Sequence, residues 1–175
     1  MFIHIRTKAI KLNKVAICFV CMGNICRSPS AEGVFRHKAK LAGIEEKLFI
    51  ASAGTHGYHL GSTPDKRSSS TALSRGYDLS SIRSQRIEQK HFMVFDYLLP
   101  MDKENFSYLK ALKPVDAKAT LKLFMEYSKK YEEKEVPDPY YGGNKGFERV
   151  LDMIEDAADG LLEHIILETT VTRLK

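Results

Sequence analysis

The segment Cys21-Met22-Gly23-Asn24-Ile25-Cys26-Arg27-Ser28-Pro29 sets a thiol and a guanidinium on either side of five residues, between a short apolar stretch and a helix start. A thiolate persists at neutral pH only beside positive charge, which a helix N-terminus supplies. A phosphoryl dianion needs several donors at once, and turning backbone N–H groups plus a guanidinium fork provide them. The segment therefore reads as a phosphoryl cradle, with Cys21 as nucleophile and Arg27 holding two phosphoryl oxygens. Attack on phosphorus would give a phosphocysteine and divide one hard displacement into two easier ones. Met22, Gly23, Asn24, Ile25, Cys26 and Ser28 would line the phosphate, with Gly23 letting the backbone turn and approach closely. The Ser28 hydroxyl would donate to the Cys21 thiolate. Asn24 would brace the loop through its side chain, with Ser52 as a partner.

A leaving alkoxide or aryl oxide also needs a proton, and a carboxyl group on a loop can deliver it. Asp138 fits, in Val136-Pro137-Asp138-Pro139-Tyr140-Tyr141-Gly142-Gly143. Two prolines and two glycines exclude a central strand or helix interior there, so 128–144 reads as an exposed loop presenting one acid. Tyr140 and Tyr141 would wall the adjoining cleft. Turn aspartates are common beside proline, and the tyrosine pair tips the reading toward catalysis.

Positioning these groups falls to alternating elements. The run 14–20 is a buried strand by its β-branched and apolar content, with a helix from Pro29 to Leu41 capped by Ser28. Further strands are expected at Leu48–Ala53, Phe92–Leu99 and Thr120–Met125. Helices are expected at Asp65–Arg75, Lys103–Leu112 and Gly146–Leu167. This alternation predicts a three-layer α/β fold, in which helices flank a parallel sheet that binds ligands at the carboxyl ends of its strands. Cys21 directly follows the first of them.

Composition excludes several classes. The chain has 175 residues, 43% hydrophobic and 28% charged, which suits one globular domain. Its net charge of +5 is spread among acidic residues, without the basic and aromatic run of a nucleic-acid groove. No stretch matches a membrane helix, so neither nucleic-acid binding nor membrane insertion is expected. The three cysteines, Cys18, Cys21 and Cys26, are clustered and odd in number, which argues for free thiols in a reducing, cytoplasmic setting. Arg6, Lys8, Lys11 and Lys14 ahead of 15–22 imitate a signal peptide, but cleavage there would destroy the loop. Residues 1–13 therefore read as an extension before a single domain over 14–175. The Cys18/Cys21 pair invites zinc, yet no histidine cluster completes four ligands, so no metal is expected. Cys26 is placed to trap an oxidised Cys21 as a disulfide.

Together these residues resemble the low-molecular-weight protein tyrosine phosphatase family, from about Lys14 to Ile166. The resemblance is carried by 20–32, Ser52-Ala53-Gly54-Thr55, Asp96-Tyr97, Met101-Asp102 and 138–142. It implies a four-stranded parallel sheet flanked by helices and cofactor-free phosphomonoester hydrolysis, with Cys21, Arg27 and Asp138 catalytic. It also implies a phosphotyrosine protein substrate and a monomer or weak homodimer. Tyr58 stands where members carry an aromatic wall, and with Ile25, Tyr140 and Tyr141 it would form a slot too deep for phosphoserine. Many members support the loop asparagine with a histidine. Here Ile82 stands in that place, within Ile82-Arg83-Ser84-Gln85-Arg86, so Asn24 would lose a partner. Arsenate reductases of this fold need downstream cysteines that are absent here. Protein-arginine phosphatases tend to carry threonine where Ile25 stands. A non-catalytic phosphate-binding module needs neither Cys21 nor Asp138.

Overall fold

A computed structural model describes residues 14–172. Four parallel strands form one sheet: β1 (Val15–Cys21), β2 (Leu48–Gly54), β3 (Tyr97–Pro100) and β4 (Thr120–Leu121), in the order β2-β1-β3-β4. Helices α1 (Arg27–Leu41), α2 (Lys66–Ser74), α3 (Lys103–Leu112) and α4 (Gly143–Thr172) connect and cover it. The central strand is apolar along nearly its whole length because both of its faces are covered. Ile17, Phe19 and Cys21 face one core with α1 and α4, while Ala16, Cys18 and Val20 face a second with Leu98, Leu109, Phe92 and Phe95. This is the period-2 alternation of a pleated strand. Phe19 anchors the first core, edge-on to Phe35 at 5.7 Å and Phe124 at 5.0 Å.

The expected strand-and-helix order is present, with four local corrections. Helix α1 starts at Arg27, two residues before Pro29, and Ser28 does not cap it because its hydroxyl is turned toward Cys21. The stretch 89–93 is a 3-10 turn, so β3 is shorter than Phe92–Leu99. There His91 Nδ1 accepts the Glu88 N–H, and Phe92 and Phe95 point inward together at three-residue spacing. β4 stops at Leu121, because Phe124 and Met125 are drawn beneath α4 by a second 3-10 turn. Helix α4 begins at Gly143 and runs to Thr172, so the end of the expected loop is helical. Gly160 lets α4 lie against that turn, since a Cβ there would fall 1.9 Å from the Tyr127 carbonyl oxygen.

The stretch leading into the acid loop is tied to α4 by Asp156. Its carboxylate accepts from the Ser128 hydroxyl (2.5 Å) and from the N–H groups of Lys129 (3.0 Å) and Lys130 (3.1 Å). Burial acts to raise its pKa, but these donors outweigh burial and hold the carboxyl below its ordinary range. Asp156→Ala is expected to lose about 2–3 kcal/mol in urea denaturation at neutral pH. A depressed carboxyl contributes fully above its unfolded pKa of about 4 and loses that contribution as pH falls through the folded value. Wild type and variant stabilities should therefore converge in acid.

Candidate active site

The site lies where β1 and β2 end side by side, with Cys21 in register with Gly54. Gly54 cannot carry a side chain, because a Cβ would lie 2.8 Å from the Met22 carbonyl and 3.0 Å from that of His56. Backbone bonds from Thr55 to Cys21 (2.9 Å) and from His56 to Met22 (3.0 Å) stitch the loop after β2 to the loop after β1. The sharp turn between Cys21 and α1 falls on Asn24, with φ +54, and not on Gly23 as expected. Asparagine tolerates this left-handed backbone better than most residues with a Cβ.

Asn24 is buried and its side chain is fully engaged. Its carbonyl oxygen accepts the Gln85 backbone N–H at 2.9 Å, which leaves its amide hydrogens for Ser28 Oγ and Ser52 Oγ, both at 2.9 Å. Ser52 then donates to Glu32 Oε2 at 2.6 Å. Ser28 Oγ, accepting from Asn24, lies 3.0 Å from Cys21 Sγ and 3.4 Å from the Ala53 carbonyl, and the Asn24 N–H points at the same sulfur from 3.3 Å. Ile82 packs in the core, so the expected loss of an Asn24 partner does not occur. The 84–87 segment substitutes: Ser84 also donates to the Gly23 carbonyl (3.2 Å), and Gln85 Nε2 donates to that of Ser52 (2.8 Å). Burial pushes the Glu32 carboxyl up, with Ser52 and Arg36 opposing that shift.

Arg27 is buried beside this network. Its Nη1 donates to Asp102 Oδ2 at 2.6 Å and to the Val136 carbonyl at 3.0 Å, and its Nη2 lies 3.9 Å from Asp138 Oδ2. Burial works to lower its pKa, but Cys21, Asp102 and Asp138 outweigh burial and hold it above its ordinary value. Asp102 also caps α3 by accepting the Asn105 N–H at 2.7 Å, so one carboxylate fixes both a helix start and the guanidinium. Asp102 entered the sequence reading only as part of the Met101-Asp102 family segment; its contact with Arg27 joins positions 75 residues apart.

Asp138 sits at the head of a 3-10 turn, Pro139–Tyr141, and accepts the Tyr140 N–H at 3.0 Å. Tyr140 is half exposed, and Tyr58 is 79% exposed and stacked on His56 at 5.4 Å. Ile25 is partly exposed on the loop itself and Met22 is exposed. Cys18, Cys21 and Cys26 are free and buried, and burial pushes the Cys26 thiol up to about 12. Among the described residues no cluster of His, Cys, Asp or Glu could hold a metal ion. None of their helices is long and apolar enough to cross a membrane.

The arrangement is similar to that of known proteins over most of the chain. Residues 16–171 match the family described as low molecular weight phosphotyrosine protein phosphatase. A low molecular weight protein-tyrosine-phosphatase of Streptomyces coelicolor is 40% identical over 149 residues, covering 83% of this chain and 90% of that protein. One from Schizosaccharomyces pombe is 36% identical, covering 86% and 97%. The crystal structure of a protein tyrosine phosphatase from Entamoeba histolytica superposes with a TM-score of 0.85 at 38% identity, covering 89% of this chain and 99% of that one. With this sheet, this loop and these relatives, the chain belongs to the low molecular weight phosphotyrosine protein phosphatase family, a class of hydrolases.

Proposed function

We propose that the protein hydrolyses phosphotyrosine in proteins, and small aryl phosphates, through a phosphocysteine formed on Cys21, with Asp138 as general acid and then general base. The observation that carries this reading is the Cys21 sulfur facing a hydroxyl and a backbone N–H at 3.0 and 3.3 Å, on the same end of the sheet as a carboxyl 3.9 Å from Arg27. Since Asp102 and Val136 occupy Nη1, the Nε/Nη2 edge of Arg27 would take two phosphoryl oxygens, and loop N–H groups the third. The Cys21 sulfur attacks phosphorus as the P–O bond breaks, and the Asp138 carboxyl passes its proton to the departing aryl oxygen. Asp138, now a carboxylate, takes a proton from the water that attacks the phosphocysteine. Inorganic phosphate leaves and Cys21 returns as thiolate.

Ile25, Tyr58 and Tyr140 would form the aryl slot, the Tyr141 side chain lying outside the described residues. An apolar Ile25 on the loop favours an aryl ring over a guanidinium, which sets protein-arginine phosphatase chemistry second. No cofactor takes part in this scheme, and the domain would span 14–175.

Turnover of 4-nitrophenyl phosphate in EDTA is expected for the wild type and absent in Cys21→Ser. Asp138→Asn should cost on the order of 10²–10⁴ in rate; an unchanged rate would reassign the acid. Asp102→Asn keeps an acceptor for the α3 cap but loosens Arg27, and should lower kcat/KM about 10²-fold. Equal kcat/KM would mean that the Val136 carbonyl alone orients the guanidinium. Peroxide should inactivate the enzyme by converting Cys21 to a sulfenic acid, which Cys26 condenses with to form a disulfide and water. Dithiothreitol then restores activity. Recovery of Cys26→Ser equal to wild type would remove Cys26 from that role.

A further inference from the structure

Arg67, near the start of α2, belongs to neither catalytic loop but touches the acid loop at Tyr140 and reaches the phosphate loop through Asp65. Its backbone N–H (2.8 Å), Nε (3.1 Å) and Nη2 (2.9 Å) all engage the Asp65 carboxylate. Asp65 in turn donates its own N–H to the Ile25 carbonyl at 2.7 Å, in the middle of the phosphate loop. On its other side the guanidinium lies over two rings, 5.0 Å from the centre of Tyr140 and 4.8 Å from that of Phe147. Nη1 also donates to the Tyr140 carbonyl at 3.4 Å. Tyr140 closes the chain, because its N–H is the donor held by Asp138 Oδ1.

Upstream of Asp138 the acid loop is held by the Val136 carbonyl, which accepts from Arg27, and by Glu135, which accepts the Lys103 N–H. Pro139 rests on Gly146, but the far flank of 137–139 borders an open cleft of about 620 Å³ reaching Arg149 and Met153. A planar guanidinium can stack on two rings and still donate from its edges, which a lysine ammonium cannot do. We propose that Arg67 is a positioning residue that sets the Asp138 carboxyl relative to the phosphate loop, and so governs proton delivery to the leaving group. This rests on the phosphocysteine reading given above. In the affected step the Cys21 S–P bond forms, the aryl P–O bond breaks, and the Asp138 proton moves to the aryl oxygen. A basic leaving group depends heavily on that proton, whereas a weakly basic one departs largely without it.

The test is aryl-oxide release in a single turnover with enzyme in excess, comparing phenyl phosphate with 4-nitrophenyl phosphate. Arg67→Met should slow phenyl phosphate about 10–100-fold and 4-nitrophenyl phosphate less than about threefold. Arg67→Lys, which keeps the charge facing Asp65 but loses the planar face, should fall between wild type and Arg67→Met. Inhibition by inorganic phosphate should stay within about twofold of wild type, since the phosphate loop keeps its own bracing. Equal slowing of both substrates, no slowing, or a larger loss of phosphate affinity would overturn the proposal. If Arg67→Met does not fold, Arg67→Lys decides: a steeper leaving-group dependence supports the role and a wild-type dependence overturns it. Acid quench of the wild type must trap phosphate on the protein. Failure there would overturn the phosphocysteine reading and this proposal with it, whereas trapped phosphate with an unaltered Arg67 variant overturns the positioning role alone.

Discussion

A backbone N–H can only donate, and the direction of the hydrogen bonds that Asn24 makes beside Cys21 follows from that. Because Gln85 donates to the Asn24 oxygen, the Asn24 amide must face Ser28 and Ser52 with its hydrogens. Ser52 then donates to Glu32, and the Ser28 proton is left for the Cys21 sulfur or the Ala53 carbonyl. Buried polar groups left unpaired cost about 1–3 kcal/mol each, so the chain resists rearrangement at any link. The left-handed turn at Asn24 persists because that chain holds it from both sides.

A second constraint joins that loop to the remainder of the fold. Arg27 is buried, and a buried guanidinium needs an anion and fixed acceptors. Asp102 and the Val136 carbonyl meet that need, and each has another duty. Asp102 starts α3, while Val136 donates its N–H to the Met101 carbonyl (2.8 Å) and fixes the chain just before Pro137-Asp138. The Arg27 guanidinium therefore links β3, α3 and the acid loop. Arg67 makes a second crossing, through Asp65 and Tyr140. Both crossings use guanidinium groups, whose planar forks satisfy several partners in fixed directions.

Local signals carried much of this architecture. The expected helices Asp65–Arg75 and Lys103–Leu112 stand in the structure to within a residue, each opened by an aspartate N-cap, Asp65 and Asp102. Apolar content located β1 and β2 to within a residue or so, because short buried strands leave little freedom of register. Signals failed where tertiary packing overrode periodicity. Phe92 and Phe95 looked like strand residues but are turned inward by a 3-10 turn, and Phe124 and Met125 were pulled off the sheet under α4. Ser28 read as a helix cap, and the nearby sulfur claimed its hydroxyl.

By itself the sequence determined the chemistry on offer: a thiol, a guanidinium and a carboxyl set in turn-forming segments that no helix or strand interior accepts. Spacing sufficed because the loop from Cys21 to Arg27 is local, and its ring of donors follows from a strand running into a helix. Only the tertiary structure decided how firmly those groups are held. Gln85 supports Asn24 where Ile82 turns into the core, Asp102 orients Arg27 across 75 residues, and Arg67 reaches the acid loop from a distant helix. The physical reason is that these partners meet through backbone groups and long side chains at sheet ends, where strand order, not sequence neighbourhood, sets distance.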